Sequence, residues 1–352
     1  MSLHVLGLGT ALPHTRMDRA DAERLARKLA GYDDGRARVA AALYRRSGVR
    51  TRHVILDPHG GAPLRPAADG PPAGTGARMA AYDTAAPALA ARAAAAALHE
   101  AGLLPQRITH LVTVSCTGAA APGVDIALLR TLHLRADCQR THVGFMGCHG
   151  ALAGLRVARA FAEADPQAVV LLVAVELCSL HFHHGWDEGQ VVANALFADG
   201  AAALVGSAAP GPGWTLAASG SCLLPEGAED MNWTIGDHGF RMTLSPRVPE
   251  IVARHLPAWL AAWLDGQGLA LRDIGSWAVH PGGPRVLSAV ELSLGLPRGA
   301  TDVSRAVLSE HGNMSSPTVL FVLQRLRAAG APRPALALSF GPGLVVEAAL
   351  WR

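Results

Sequence analysis

Charge is scarce in this chain of 352 residues: Asp, Glu, Lys and Arg make up 17% of it, and the formal net charge at pH 7 is +3. The basic residues are scattered, so the electrostatic footprint of a nucleic-acid binder is missing. Aromatic residues are few as well, at 5%. The five cysteines (Cys116, Cys138, Cys148, Cys178, Cys222) are odd in number and widely spaced, with no Cys-x-x-Cys pair. That argues against both a zinc ribbon and a disulfide scaffold. No run reaches the roughly 18 uncharged apolar residues of a membrane span, so stable membrane insertion is not expected. The nearest stretch, 85–97, is Ala-rich and interrupted by Arg92, which suits a buried or half-buried helix. The chain enters an apolar segment at once, without a signal-peptide pattern, and a cytoplasmic protein is expected.

What is present is apolar residue, half of the chain. That is enough for a large core in one large domain or two fused ones. Apolar runs predict strands at 3–8, 111–115, 141–145, 168–175, 201–205, 276–280 and 335–340. Amphipathic or Ala-rich periodicity predicts helices at 19–29, 36–46, 84–101, 125–132, 149–164, 248–264 and 318–328. Residues 9–13 read as a turn and 59–77, rich in Gly and Pro, as a surface loop. Ser316 is placed to cap the helix that follows, with Pro317 in its first position and Gly330 at its end. The run 207–213 reads as a boundary between two halves, 1–207 and 214–352. Alternating strands and helices in both halves predict an α/β fold of stacked layers.

Three polar residues stand where apolar runs give way to turns. Cys148 follows Thr141-His-Val-Gly-Phe-Met-Gly147, at a strand-to-helix elbow whose free N–H groups favour thiolate. His280 ends Ser276-Trp-Ala-Val and precedes the rigid Pro281-Gly-Gly-Pro284. Asn313 lies between Gly312 and Met314. Singly these read as a buried cysteine, a core histidine and a turn asparagine. Together, a thiol nucleophile, an imidazole and a carboxamide make an acyl-transfer apparatus. His181 and His183 would share a face on a strand, but no further ligand is arranged to complete a metal site. They read as polar loop residues near the cleft or a subunit interface.

Longer blocks carry a resemblance. They are Cys116-Thr-Gly-Ala-Ala-Ala-Pro-Gly-Val-Asp125, Gly147-Cys-His-Gly-Ala151, Ala195-Leu-Phe-Ala-Asp-Gly-Ala-Ala-Ala203, Val279-His-Pro-Gly-Gly-Pro284, Glu310-His-Gly-Asn-Met-Ser-Ser-Pro317 and Ser339-Phe-Gly-Pro-Gly343. Nearly end to end, the chain resembles the type III polyketide synthases of the chalcone and stilbene synthase family. Asp237-His-Gly-Phe-Arg-Met-Thr-Leu-Ser-Pro246 is similar to bacterial members. The resemblance implies a thiolase-like fold of two similar halves in αβαβα layers, a homodimer, acyl-CoA and malonyl-CoA as substrates, and no cofactor or metal. It also implies roles. Cys148 would carry the acyl chain, and His280 would help keep it as thiolate. His280 and Asn313 would hold the malonyl thioester oxygen as carbon dioxide leaves. Phe197 and Met242 would stand at the gate between CoA tunnel and cavity, Cys116 and Ser315 would line the cavity, and Arg46 would meet a CoA phosphate. Ala121 and Ser339 depart from the plant pattern, and neither departure is expected to touch the three catalytic residues. Low aromatic content and Met242 favour a fatty acyl starter. Two rivals share the fold: an initiating ketoacyl synthase fed by carrier protein, and an inactive dimer partner.

Overall fold

The computed structural model describes residues 2–57, 63–64, 72–211 and 213–352. Nine strands make one mixed sheet. In spatial order they are Ser276–Val279, Ala335–Gly341, Val345–Trp351, Thr215–Leu223, Leu3–Ala11, Asp199–Ser207, Val169–Leu177, His110–Ser115 and Gln139–Gly144. The seam between Thr215–Leu223 and Leu3–Ala11 is antiparallel and short, with Leu3 opposite Leu216 and His4 opposite Thr215. Outward from it, both directions read the same: antiparallel, antiparallel, parallel. The edge strand Gln139–Gly144 extends one side only.

The layers follow from where apolar side chains go. Strands such as Val169–Leu177 are buried along almost their whole length, as in a sheet covered on both faces. Helices Gly150–Ala164 and Thr318–Ala328 share one core. Ala151, Leu155, Val319 and Leu320 meet Val112 and Leu172 from one end of the sheet and Ala337 and Ala349 from the other. Helix Thr75–Ala101 covers the outer face at one end through Ala86, Ala90, Ala93 and Ala97. Helices Val248–Asp265 and Pro284–Ser293 cover the other through Leu256, Leu260, Leu287 and Val290. The αβαβα stack expected of a thiolase-like α/β fold is the one observed. Among the described residues no helix is long and apolar enough to cross a membrane.

Three local expectations are corrected. The first strand runs on to Ala11 rather than turning at Gly9. Its glycines serve packing: a Cβ on Gly7 would lie 2.2 Å from Ala97 O, and one on Gly9 would lie 2.4 Å from Ala93 O. The helix expected at 84–101 begins at Thr75, inside the segment read as loop. Arg78 anchors that first stretch: fully buried, it donates to Ala73 O (2.9 Å), Leu180 O (2.7 Å) and Phe182 O (3.0 Å), so tertiary contacts override local propensity. The rest of that loop falls largely on 58–62 and 65–71, outside the described residues. Finally, Ser316 does not cap the helix Thr318–Ala328. Pro317 holds the cap position, and Ser316 Oγ donates instead to Glu176 Oε1 at 2.6 Å.

Candidate active site

Cys148 sits in the tight turn Gly147–His149, between strand Gln139–Gly144 and helix Gly150–Ala164. Gly147 has φ +66°, and a Cβ there would lie 2.3 Å from Pro342 Cδ, a place only glycine fills without strain. Cys148 is 7% exposed. Its carbonyl accepts from Ser339 Oγ at 2.9 Å. The departure at Ser339 therefore does touch the nucleophile's turn, contrary to expectation, because its hydroxyl pins that turn to the end of strand Ala335–Gly341.

The same strand end holds His280, whose N–H donates to Leu338 O at 2.7 Å and whose carbonyl accepts from Gly282 N at 2.9 Å. His280 is 1% exposed, and among the described residues neither ring nitrogen has a hydrogen-bond partner. A buried polar group left unpaired is costly and asks for a functional explanation.

Asn313 arrives from another direction. Its N–H donates to Leu196 O and its carbonyl accepts from Ala198 N, both at 2.9 Å, so it runs beside Phe197 as a one-residue strand. The side-chain Oδ1 accepts from Ser315 N at 2.8 Å, which leaves Nδ2 directed at Cys148 Sγ, 4.0 Å away. Ser315 takes a left-handed φ of +58°. Its Oγ lies 3.5 Å from Cys116 Sγ.

Burial dominates the electrostatics. It pushes the Cys148 thiol up to about 11, against hydrogen bonding from Ser315 and Asn313. It also pushes His280 down to about 3, with help from the nearby His149 ring. The pair therefore rests as thiol and neutral imidazole. Desolvation thus works against the thiolate that the helix start was expected to favour.

One carboxylate escaped the sequence reading. Glu176 is fully buried and accepts from Thr117 Oγ1 and Ser316 Oγ (2.6 Å each), Cys116 N (3.0 Å) and Ser115 Oγ (3.2 Å). It ties the turn after strand His110–Ser115 to the Asn313 loop, and its own acidity is weakened by burial. The only sequence signal is a lone acid closing a long apolar run. His181, read as a polar loop residue near the cleft or a subunit interface, closes the short helix Cys178–His181. It is 6% exposed, bonds Thr117 O at 2.8 Å and accepts from Phe240 N at 2.9 Å, and stacks on the Phe240 ring at 4.2 Å. It thus pegs the hairpin formed by Met231–Gly236 and Gly239–Leu244, which carries Met242.

Two cavities flank Phe197. The larger, about 440 Å³, is lined by Leu196, Gly282, Gly283 and Leu244, with Arg46 and Arg285 along its wall. It reaches the turn beyond His280 and, through Leu196, the neighbour of Phe197. Among the described residues neither guanidinium has a carboxylate partner, and Glu188 is the one acid in the lining. The smaller, about 50 Å³, is lined by Phe197, Met242, Cys178, His181 and Trp233. That is room for a water or two. The structure thus gathers Cys148, Asn313, Ser315 and Cys116 into one cluster and puts His280 on the strand end that holds the Cys148 turn. Phe197 and Met242 stand on the inner side, and Arg46 at the outer cavity.

Two family models account for nearly the whole chain: chalcone and stilbene synthases, N-terminal domain, over residues 2–210, and the corresponding C-terminal domain over residues 215–352. The chain belongs to the chalcone and stilbene synthase family. It is 37% identical to 1,3,6,8-tetrahydroxynaphthalene synthase of Streptomyces peucetius subsp. caesius, over 99% of this chain and 92% of that enzyme. It is 32% identical to the alpha-pyrone synthesis polyketide synthase-like Pks18 of Mycobacterium tuberculosis, over 98% of this chain and 90% of that one. Among solved structures, PKS-I from the brown alga Ectocarpus siliculosus superposes with a TM-score of 0.93 at 30% identity, covering 100% of this chain and 98% of that one. As a member of this family the chain is a type III polyketide synthase, a malonyl-CoA-dependent acyltransferase. The ketoacyl synthase and inactive-partner alternatives are not favoured.

Proposed function

We propose that Cys148 carries the acyl chain and that His280 and Asn313 act on malonyl-CoA. Acyl-CoA enters past Arg46 and Arg285, whose unpaired guanidinium groups suit the phosphates of CoA. His280 takes the thiol proton as Cys148 Sγ attacks the thioester carbonyl, and CoA leaves as its thiol. Malonyl-CoA follows by the same route, and its thioester oxygen accepts from Asn313 Nδ2 and the His280 ring. Loss of carbon dioxide then places the electron pair in an enolate. A donor aimed at an oxygen that gains charge this way is worth roughly 3 kcal/mol. The enolate carbon attacks the acyl carbonyl on Cys148, and the C–S bond breaks to return the sulfur. The extended β-ketoacyl chain goes back to Cys148 for further rounds, and cyclisation gives a resorcinol, phloroglucinol or pyrone.

The observation that carries this reading is the carboxamide nitrogen held 4.0 Å from a buried sulfur by an amide oxygen already engaged elsewhere. The inner lining, with Met17, Leu25, Val54, Leu56 and Met242, favours an aliphatic starter. Residues 1–207 and 214–352 form the two halves, the first bringing the sulfur and the second the imidazole and carboxamide. A homodimer is the working assembly. In support, Gln139–Gly144 is a sheet edge followed by Phe145, which is 50% exposed; a second copy would cover both.

The test uses a panel of acyl-CoAs with labelled malonyl-CoA, read by product mass, for the wild type, Cys148→Ala and Asn313→Ala. Cys148→Ala is expected to make no extended product. Asn313→Ala is expected to lose about 100-fold or more in carbon dioxide release while still loading the starter. Extended product from Cys148→Ala, or equal losses in both half-reactions for Asn313→Ala, would refute the assignments.

A further inference from the structure

Helix Glu188–Leu196 stops directly before Phe197, and its last carbonyls have no partner within the helix. They are not left to water. Arg52, on the short strand Thr51–Val54, is 4% exposed and sends its guanidinium under that helix end. Its Nη1 donates to Asn194 O and to Phe197 O, each at 2.8 Å, and Nη2 donates to Ala195 O. The carbonyl it does not reach, Leu196 O, accepts the N–H of Asn313. Four successive carbonyls are therefore shared between one guanidinium and the backbone of the catalytic carboxamide.

The surroundings make this arrangement hard to replace. The Arg52 cation lies 5.7 Å from the centre of the Tyr44 ring, and the nearby Asp199 carboxylate is already engaged by Ile55 N and by Ser179. On the opposite side the Arg52 stem packs near Gly312. A Cβ at Gly312 would lie 3.6 Å from Arg52 Cβ, 3.1 Å from Leu196 O and 2.9 Å from Ala198 Cβ. Gly312, at φ +74°, lets the Asn313 loop close onto the helix end that Arg52 holds. A positive charge suits a helix C-terminus, and a planar fork of donors meets several carbonyls at once, which an ammonium group does not.

We infer that Arg52 is a positioning residue for malonyl-CoA decarboxylation: from the wall of the small inner cavity, it fixes the helix end on which Asn313 and Phe197 are both seated. This rests on the reading of Asn313 as a donor to the enolate oxygen. A displacement of that donor by about an ångström is enough to cost about 100-fold in rate.

The experiment compares the full-length wild type, Arg52→Gln, Arg52→Lys, Asn313→Ala and the Arg52→Gln/Asn313→Ala double variant. Two readouts are taken: kcat and KM for carbon dioxide release from malonyl-CoA, and acylation of Cys148 by a starter acyl-CoA, followed by intact mass. Arg52→Gln should lower kcat by about 30- to 100-fold, with KM and acylation changed by less than about twofold. Arg52→Lys, which keeps the charge but not the fork, should fall between. If Arg52→Gln does not fold, Arg52→Lys carries the same comparison. In the Asn313→Ala background the Arg52 change should cost little more, because it acts through the group already removed. Equal losses in acylation and decarboxylation, or full multiplication of losses in the double variant, would overturn the proposal. Undiminished carbon dioxide release by Asn313→Ala would instead sink the underlying reading of Asn313. A crippled Asn313→Ala beside an unaffected Arg52→Gln would sink the role of Arg52 alone.

Discussion

At the residue scale, the site is governed by what burial does to its two ionisable partners. The Cys148 thiol is pushed up to about 11 and the His280 imidazole down to about 3, so each keeps its neutral form across the ordinary range. Thiolate, the reactive form, is then a small fraction that grows with pH. Alkylation of Cys148 by iodoacetamide, followed by peptide mass, is expected to accelerate by about tenfold per pH unit between pH 7 and 9. A rate already flat above pH 7 would mean that the pair rests as thiolate and imidazolium. The candidates Cys148, His280 and Asn313 were legible from local sequence, because each stands in a turn with its own signature. What holds them was not. Arg52, Glu176 and Ser339 act through partners more than a hundred residues away, apart from Ser115, Cys116 and Thr117, which lie 59 to 61 residues from Glu176. Nothing nearby in the chain marks an Arg in a short strand, or an acid after an apolar run, as a clamp.

At the element scale, the misreadings share one cause. Glycine and proline mark turns when the backbone is free, but glycine is equally demanded where two elements come close. Gly7 and Gly9 belong to the second kind, since helix Thr75–Ala101 lies against the strand with no room for a methyl group. Gly9→Ala should therefore destabilise the protein by about 3 kcal/mol, a cost of overpacking against backbone atoms that have nowhere to go. Urea midpoints for wild type and variant measure it, and an unchanged midpoint would show that the helix shifts freely away from the sheet. The hairpin of Met231–Gly236 and Gly239–Leu244 escaped notice for a related reason. Its faces are held by His181, Trp233 and Gln190 rather than by a regular alternation. By contrast, the buried strands and the two central helices were readable because their apolar patterns are long and unbroken.

At the scale of the whole molecule, several imidazoles among the described residues are stored uncharged by burial, and His149, His181 and His280 are three of them. Burial holds His149 and His181 down to about 4 and His280 to about 3, against 6.5 when exposed. Folded values below the unfolded one mean that the stability is present above pH 6.5 and is lost as the pH falls, because only the unfolded chain accepts the protons. Each histidine costs about 1.4 kcal/mol per pH unit in that window, so the three together cost about 4 kcal/mol per unit between roughly pH 6 and 4. Urea midpoints at pH 7, 6 and 5 should drop steeply. A flat series would mean that the interior tolerates imidazolium.

The mirrored strand order carries a consequence for how the enzyme comes into being. The sulfur lies ahead of one central helix, Gly150–Ala164, and the carboxamide lies ahead of the other, Thr318–Ala328, at matching places on either side of the seam. A ribosome therefore finishes the segment bearing the thiol long before the segment bearing the carboxamide. Until strands Ala335–Gly341 and Val345–Trp351 have joined the sheet, the Cys148 turn lacks the strand end to which Ser339 pins it, and His280 lacks its partner Leu338.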